Sequence, residues 1–324
     1  MVAGPEPDRR DPDRRVRIYE VGPRDGLQNE ARPIATADKL RFIELLVAAG
    51  LTEIEATSFV RPSSIPQLAD ADGLMRTLTA GGADTANVRG VRFPVLVPNE
   101  RGMARAEAAG ARALAVFTAA SDEFTRHNIG MTVAESLAAF KPVLHRAAEL
   151  GWWRRAYVST AFGCPYTGAI QPARTVEVAL QLAAAGVDEI CFGDTIGVAV
   201  PDQVEQLTAT AVAAGLQLNQ LAYHFHDTRG TALANVAAGL RSGVRTFDAS
   251  TGGTGGCPYA PGAAGNLATE DLVYLLDASG WEHGADLAGV LTAARFVSGL
   301  LGRPLASKVG QAGGWDPATG AARA

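Results

Sequence analysis

The feature that most constrains this chain is a regular alternation. Eight short apolar or β-branched runs, at residues 16–21, 53–58, 93–97, 113–118, 156–161, 189–193, 221–226 and 244–250, are separated by long Ala/Leu-rich segments, several closing on glycine. Strands that are each followed by a helix pair in parallel through right-handed crossovers. Eight such units close into a (β/α)8 TIM barrel. The rival, an open doubly wound sheet, carries a G-x-G-x-x-G turn after its first strand. Here the first run passes instead into GPRDGLQNE at residues 22–30.

Between the first two runs, Leu40, Ile43, Leu46 and Val47 fall at helical spacing, with Thr36 suited to cap the start and Gly50 the end. Thr132 with Glu135 forms a capping-box pattern, and Gly110, Gly186 and Gly215 close further helices. The apolar stretch 285–302 follows the eighth unit and is expected to pack outside the barrel as an extra C-terminal helical layer. The Pro-rich, mixed-charge residues 1–15 read as a disordered leader, 16–310 as the catalytic barrel with its C-terminal helices, and 311–324 as a flexible tail.

Composition narrows the partners. With 47% hydrophobic and 19% charged residues the 324-residue chain buries a substantial core, and its net charge of −5 comes without a basic block. That excludes a nucleic-acid surface and an anionic membrane, leaving a small molecule. Cys164, Cys191 and Cys257 form no C-x-x-C pair, against both a disulfide framework and a structural zinc site. No apolar run has the length of a membrane span, so a reducing, cytoplasmic location is expected.

In a barrel, chemistry collects at the C-terminal ends of the strands. Arg24 and Asp25 follow the first run, Glu55 lies near the end of the second, Asp194 closes the sixth, His224 and His226 close the seventh, and Cys257 and Asn266 follow the eighth. Two histidines two apart on a strand point to the same face. An isolated H-x-H is as often packing as ligand, but with Asp25 and the amide oxygen of Asn266 it makes an N/O set suited to a divalent cation, Mg or Mn foremost and Co or Zn next. Arg24 beside Asp25 is the pattern of a surface ion pair, or of a cation that stabilises an enolate. Glu55 faces inward as an orienting partner or outward, and Asp194 serves a site or caps the next helix. Only Lys39, Lys141 and Lys308 exist and none ends a strand, which disfavours a Schiff-base aldolase and a carbamylated-lysine carboxyltransferase. Cys257 has glycines before it and Pro258 and Pro261 after. It reads as a thiol carried on a closing loop, or as a tolerated surface cysteine.

The segments YEVGPRDGLQNE (19–30), IEATSFV (54–60), GCPY (163–166), GDTIG (193–197), HFHDTRGTALAN (224–235) and GGCPYAPGAAGNLATEDLVYLL (255–276) together resemble the 3-hydroxy-3-methylglutaryl-CoA lyase family. The resemblance spans residues 16–310. It implies a metal-dependent barrel that cleaves an acyl-CoA to acetyl-CoA and acetoacetate, a homodimer, and a place in leucine degradation. By position Asp25, His224, His226 and Asn266 resemble the family's metal ligands, Arg24 its catalytic arginine, Cys257 its loop cysteine, and Glu55 and Asp194 its supporting residues. Asp25 or His224 would be the base. Thr254 and Phe225 depart from the residues common there, which leaves a lyase for a bulkier 3-hydroxy-3-acylglutaryl-CoA as an alternative. A Claisen-type synthase shares the H-x-H but not the cysteine loop, and a non-catalytic acyl-CoA binder would not need every catalytic residue type.

Overall fold

A computed structural model describes residues 14–80, 90–256 and 265–315, and the backbone of 322–323. The barrel strands are β1 (Arg17–Glu20), β2 (Glu53–Ile54), β3 (Thr57–Ser58), β4 (Val95–Leu96), β5 (Ala113–Ala119), β6 (Trp153–Ser159), β9 (Glu189–Asp194), β10 (Leu221–Phe225) and β11 (Thr246–Ala249). A two-stranded hairpin, β7 (Gly163–Cys164) and β8 (Gly168–Ala169), follows β6. The sheet runs β2-β1-β11-β10-β9-β6-β5-β4-β3, with parallel pairing throughout. β2 and β3 are two pieces of the second expected run. Between them the Glu55 N–H donates to the Glu20 carbonyl at 2.8 Å and the Ala56 N–H to the Pro94 carbonyl at 3.0 Å. One stretch therefore meets β1 on one side and β4 on the other, and the expected eight-stranded barrel closes. β6 begins three residues before the expected run, because its opening Trp153-Arg154-Arg155 does not look like a buried strand. Arg155 is fully buried nonetheless.

The helices are α1 (Thr36–Ala48), α2 (Ala71–Thr79), α3 (Glu100–Ala108), α4 (Asp122–Ile129), α5 (Val133–Glu149), α6 (Pro172–Ala184), α7 (Pro201–Ala213), α8 (Ala232–Arg241), α9 (Thr269–Ala278), α10 (Leu287–Leu301) and α11 (Lys308–Ala312). The cap of α1 differs from expectation: the N-cap position is Ala35, and the Thr36 hydroxyl instead donates to Asp70 Oδ2 at 2.7 Å. The capping box of α5 forms as expected, with the Glu135 N–H on Thr132 Oγ1 at 3.1 Å and the Thr132 N–H on Glu135 Oε2 at 2.7 Å. α10 starts at Asp286, whose side chain accepts from the Gly289 N–H, and ends at Gly302 with φ 65°. Val290, Leu291, Ala294 and Val297 are buried on this helix, which packs against α1 and α9 and gives the extra layer.

Arg14 and Arg15, assigned to the leader, are tied down: the Glu282 N–H donates to the Arg14 carbonyl, Arg14 donates to the Ser279 and Gly280 carbonyls, and its guanidinium lies 4.8 Å from the Trp281 ring. The segment assigned to a flexible tail holds an antiparallel ladder, β12 (Gly314–Trp315) with β13 (Ala322–Arg323). Among the described residues no helix is long and apolar enough to cross a membrane.

The main core lies between the strands and the helical ring, where Leu, Val, Ile and Phe side chains from both layers pack. The barrel interior is different. Small residues, Ala115, Cys191 and Ala222, sit with Leu96, Phe117 and Tyr157, leaving room for charged groups.

At the start of α9, Glu270 accepts the Gly252 N–H at 2.9 Å, and burial pushes its carboxyl up to about 7. A carboxyl raised on folding binds more protons folded than unfolded. Its stabilising contribution is present below the ordinary carboxyl range and is lost as pH rises through about 7. The expected loss is at most about 3 kcal/mol. Glu270→Gln keeps an acceptor for Gly252 without the charge, so its Tm should fall less than wild type between pH 5 and pH 8. Equal slopes in the two thermal scans would refute this.

Candidate active site

The turn after β1 is built from Gly22–Gly26, in which the N–H groups of Arg24, Asp25 and Gly26 all converge on the Val21 carbonyl at 3.2, 2.7 and 3.1 Å. The Gly26 bond spans five residues, a local widening of the kind found at functional sites. Glu20 anchors it. This fully buried carboxylate accepts the Gly22 N–H, the Thr251 N–H, and the hydroxyls of Thr251 and Thr269 at 2.6–2.9 Å. It thereby ties the first strand's turn to the segment after β11. Close packing continues at Gly26, where a Cβ would lie 2.3 Å from Thr254 Oγ1.

Asp25, His224 and His226 each offer a ligand atom, and these atoms lie within 4.8 Å of one another. Asp25 Oδ1 accepts from Arg24 Nη1 at 2.6 Å, and Oδ2 accepts from Asn266 Nδ2 at 2.8 Å. Burial would raise the Asp25 carboxyl, but the Arg24 guanidinium and then His224 hold it down at about 2. Burial, reinforced by His224, pushes the His226 imidazole down to about 3, so it stays neutral with a lone pair available. Two observations test whether a cation fits. Asn266 Oδ1 and His226 Nδ1 are buried without a hydrogen-bond partner. The Asn266 amide nitrogen is meanwhile committed to Asp25 and to the Thr254 carbonyl at 2.9 Å. An unpaired buried acceptor costs about 1–3 kcal/mol. A divalent cation ligated by these O and N donors would offset that cost, and the residues fit one.

Gly255 stands against this group with φ 90°, and a Cβ there would lie 2.5 Å from Asn266 Nδ2. Gly255→Ala is expected to displace the Asn266 amide and weaken Mn²⁺ binding by about tenfold, an effect the size of losing an orienting contact. An unchanged affinity by calorimetric titration would contradict this placement.

Arg24 is buried, with Nε on Glu55 Oε1 at 2.5 Å. Burial alone would lower its pKa, but the carboxylates of Glu55 and Asp25 raise it, so the cation is permanent. Glu55, left open by the sequence, faces inward: its second oxygen accepts the Tyr157 hydroxyl at 2.5 Å. Asp194 shapes the loop after β9, its two oxygens accepting the Val198 and Ala199 N–H groups at 2.9 and 3.0 Å, while burial pushes its carboxyl up and His224 acts against that rise. Cys257 lies outside the described residues. The two departures also fall away from the substrate space. Phe225 is buried outside the barrel, stacked on Tyr223 at 5.1 Å and beside Phe162, while buried Thr254 bonds Ser250 at 2.6 Å.

Sequence reading missed four residues here: Glu20, Tyr157, Arg155 and Asp248. The last joins the site directly, its Oδ2 facing His224 Nδ1 at 3.2 Å. Arg155 and Tyr157 share one face of β6 and carried a period-two signal, hidden by starting that strand at 156. Arg24, Asp25, Tyr157, His224 and His226 face a cavity of about 710 Å³. Its lining includes Arg24, Asp25, His224 and His226 together with the apolar Leu96, Phe117, Phe124, Ile129, Met131 and Phe140.

A family model described as HMGL-like matches residues 15–297. A hydroxymethylglutaryl-CoA lyase of Pseudomonas mevalonii is 46% identical over 297 residues, covering 92% of this chain and 96% of that protein. The solved HMG-CoA lyase of Bacillus subtilis superposes with a TM-score of 0.87 at 44% identity, covering 92% of this chain and 97% of the other. An HMG-CoA lyase of Acinetobacter baumannii, solved with coenzyme A and 3-methylmalate, gives a TM-score of 0.86 at 34% identity, covering 97% of each chain.

Proposed function

Because this chain belongs to the HMGL-like family, we propose that it cleaves 3-hydroxy-3-methylglutaryl-CoA between C2 and C3 to acetyl-CoA and acetoacetate. The observation that carries this is the convergence of Asp25, His224, His226 and Asn266 beside the buried Arg24, with Arg24, Asp25 and both histidines lining one cavity. A bound divalent cation, Mg or Mn, would supply the Lewis acidity that lowers the pKa of the substrate's tertiary hydroxyl. Asp25, His224, His226 and Asn266 would hold it.

The hydroxyl proton needs a base. Asp25 stands among the ligating groups with its carboxylate held by Arg24 and Asn266. We assign the proton to Asp25, because His224 has Nδ1 on Asp248 and its other nitrogen committed to the cation. As C2–C3 breaks, the electron pair moves onto the thioester carbonyl. Arg24, fixed by Glu55 and Asp25, is placed to hold that enolate oxygen with a permanent, directional charge. By resemblance alone, Cys257 or a water it positions returns the proton to C2 of the acetyl group.

The bulkier-substrate alternative loses its motive, since neither Phe225 nor Thr254 lines the cavity. A homodimer in a reducing, cytoplasmic compartment completes the reading, supported by the family resemblance and by the free, buried Cys164 and Cys191.

The deciding experiment incubates purified protein with Mn²⁺, thiol reductant and 3-hydroxy-3-methylglutaryl-CoA, and follows products by mass spectrometry. Acetyl-CoA and acetoacetate should appear together and vanish with chelator. No turnover from folded, metal-loaded protein would overturn the assignment.

A further inference from the structure

Beneath the site lies a charged layer that the cleavage chemistry does not itself use. Arg155, with no exposed surface, places Nη2 2.5 Å from Asp248 Oδ1 and Nε 3.2 Å from Glu189 Oε1. Its guanidinium lies over two rings, 3.7 Å from the centroid of Tyr19 and 4.8 Å from that of Tyr157. Asp248, itself fully buried, uses its other oxygen on His224 Nδ1 at 3.2 Å. Tyr157 meanwhile donates to Glu55, which holds Arg24. Both arms of the site, the imidazole and the guanidinium, therefore stand on one buried cation.

We propose that Asp248, clamped by Arg155, is a positioning residue that fixes His224 with its Nδ1–H toward the barrel floor and Nε2 toward the cation. A carboxylate can only accept, so a hydrogen bond to it selects the Nδ1-protonated tautomer and directs the remaining lone pair outward. Arg155 keeps Asp248 from rotating away, because Nη2 donates to Asp248 while the ion pair with Glu189 and the rings of Tyr19 and Tyr157 restrain the guanidinium. Coupling follows from the same geometry: a change at Arg155 reaches the cation through Asp248 and His224, and the enolate-binding Arg24 through Tyr157 and Glu55.

This inference rests on the cation site proposed above, and the test separates the two. Mn²⁺ titration of the full-length wild-type protein by electron paramagnetic resonance tests the site; variants and the histidine tautomer test the positioning. In ¹⁵N-histidine-labelled wild-type protein, His224 should show a single Nδ1-protonated tautomer. Asp248→Asn offers one oxygen where two partners need one each, and should weaken Mn²⁺ binding by about 10–100-fold. That change also leaves Arg155 short of a counter-charge. The double variant Asp248→Asn, Arg155→Met removes the buried cation, and is expected to recover Tm without recovering Mn²⁺ affinity. Mn²⁺ affinity within twofold of wild type in either folded variant would overturn the proposal. So would a wild-type His224 protonated at Nε2, a result that needs no variant to fold.

Discussion

Arg24→Lys is expected to lower kcat by about 10²–10³-fold, the cost of losing one directed donor to a developing oxyanion. Charge is conserved in this substitution, so the loss isolates geometry. Arg24 reaches Glu55 through Nε at 2.5 Å and Asp25 through Nη1 at 2.6 Å. A lysine has one nitrogen to serve both carboxylates and the substrate oxygen, and its flexible stem does not hold a fixed direction. Asp25 keeps its contact from Asn266 Nδ2 at 2.8 Å, so Mn²⁺ affinity should change much less than turnover. Steady-state kinetics with parallel metal titration checks this. A lysine variant with kcat within tenfold of wild type would show that Arg24 serves only as a neutralising charge.

His226→Ala should act in the opposite order, on metal first. Its imidazole is buried, its Nδ1 has no hydrogen-bond partner, and burial with the neighbouring His224 holds it neutral down to about pH 3. A side chain kept neutral and unsatisfied in the interior contributes nothing to ion pairing and leaves ligation as its use. Removing it is expected to weaken Mn²⁺ binding by about 10²-fold or more, beyond what the loss of an outer contact costs. Activity should fall in step and recover partly at high Mn²⁺, because Asp25, His224 and Asn266 remain. Unchanged affinity by calorimetry would remove His226 from the ligand set.

Much of this is legible in the sequence. Parallel strands buried on both faces must be apolar runs, and helices between them must carry periodic apolar faces, so the repeat of eight units already implied a closed barrel. Its geometry then assigned Arg24, Asp25, His224, His226 and Asn266 to one rim, since all lie at or just past the ends of strands. The period of two in a strand was enough to point both histidines the same way.

Residues that act through a distant partner were not legible, and Asp194 and Asp248 show why. Each is a carboxylate at the end of a strand, with nothing local to separate them. Asp194 is satisfied by two backbone N–H groups four and five residues on. Asp248 meets His224 and Arg155, 24 and 93 residues away. Arg155 went unseen because a buried guanidinium is the exception, tolerated here only where Asp248, Glu189 and two aromatic rings enclose it. Periodicity and strand ends are local properties that the chain carries in its own order, and they settle the architecture and the rim. Which buried charge neutralises which depends on the side chains that barrel closure brings face to face, and that pairing exists only in three dimensions.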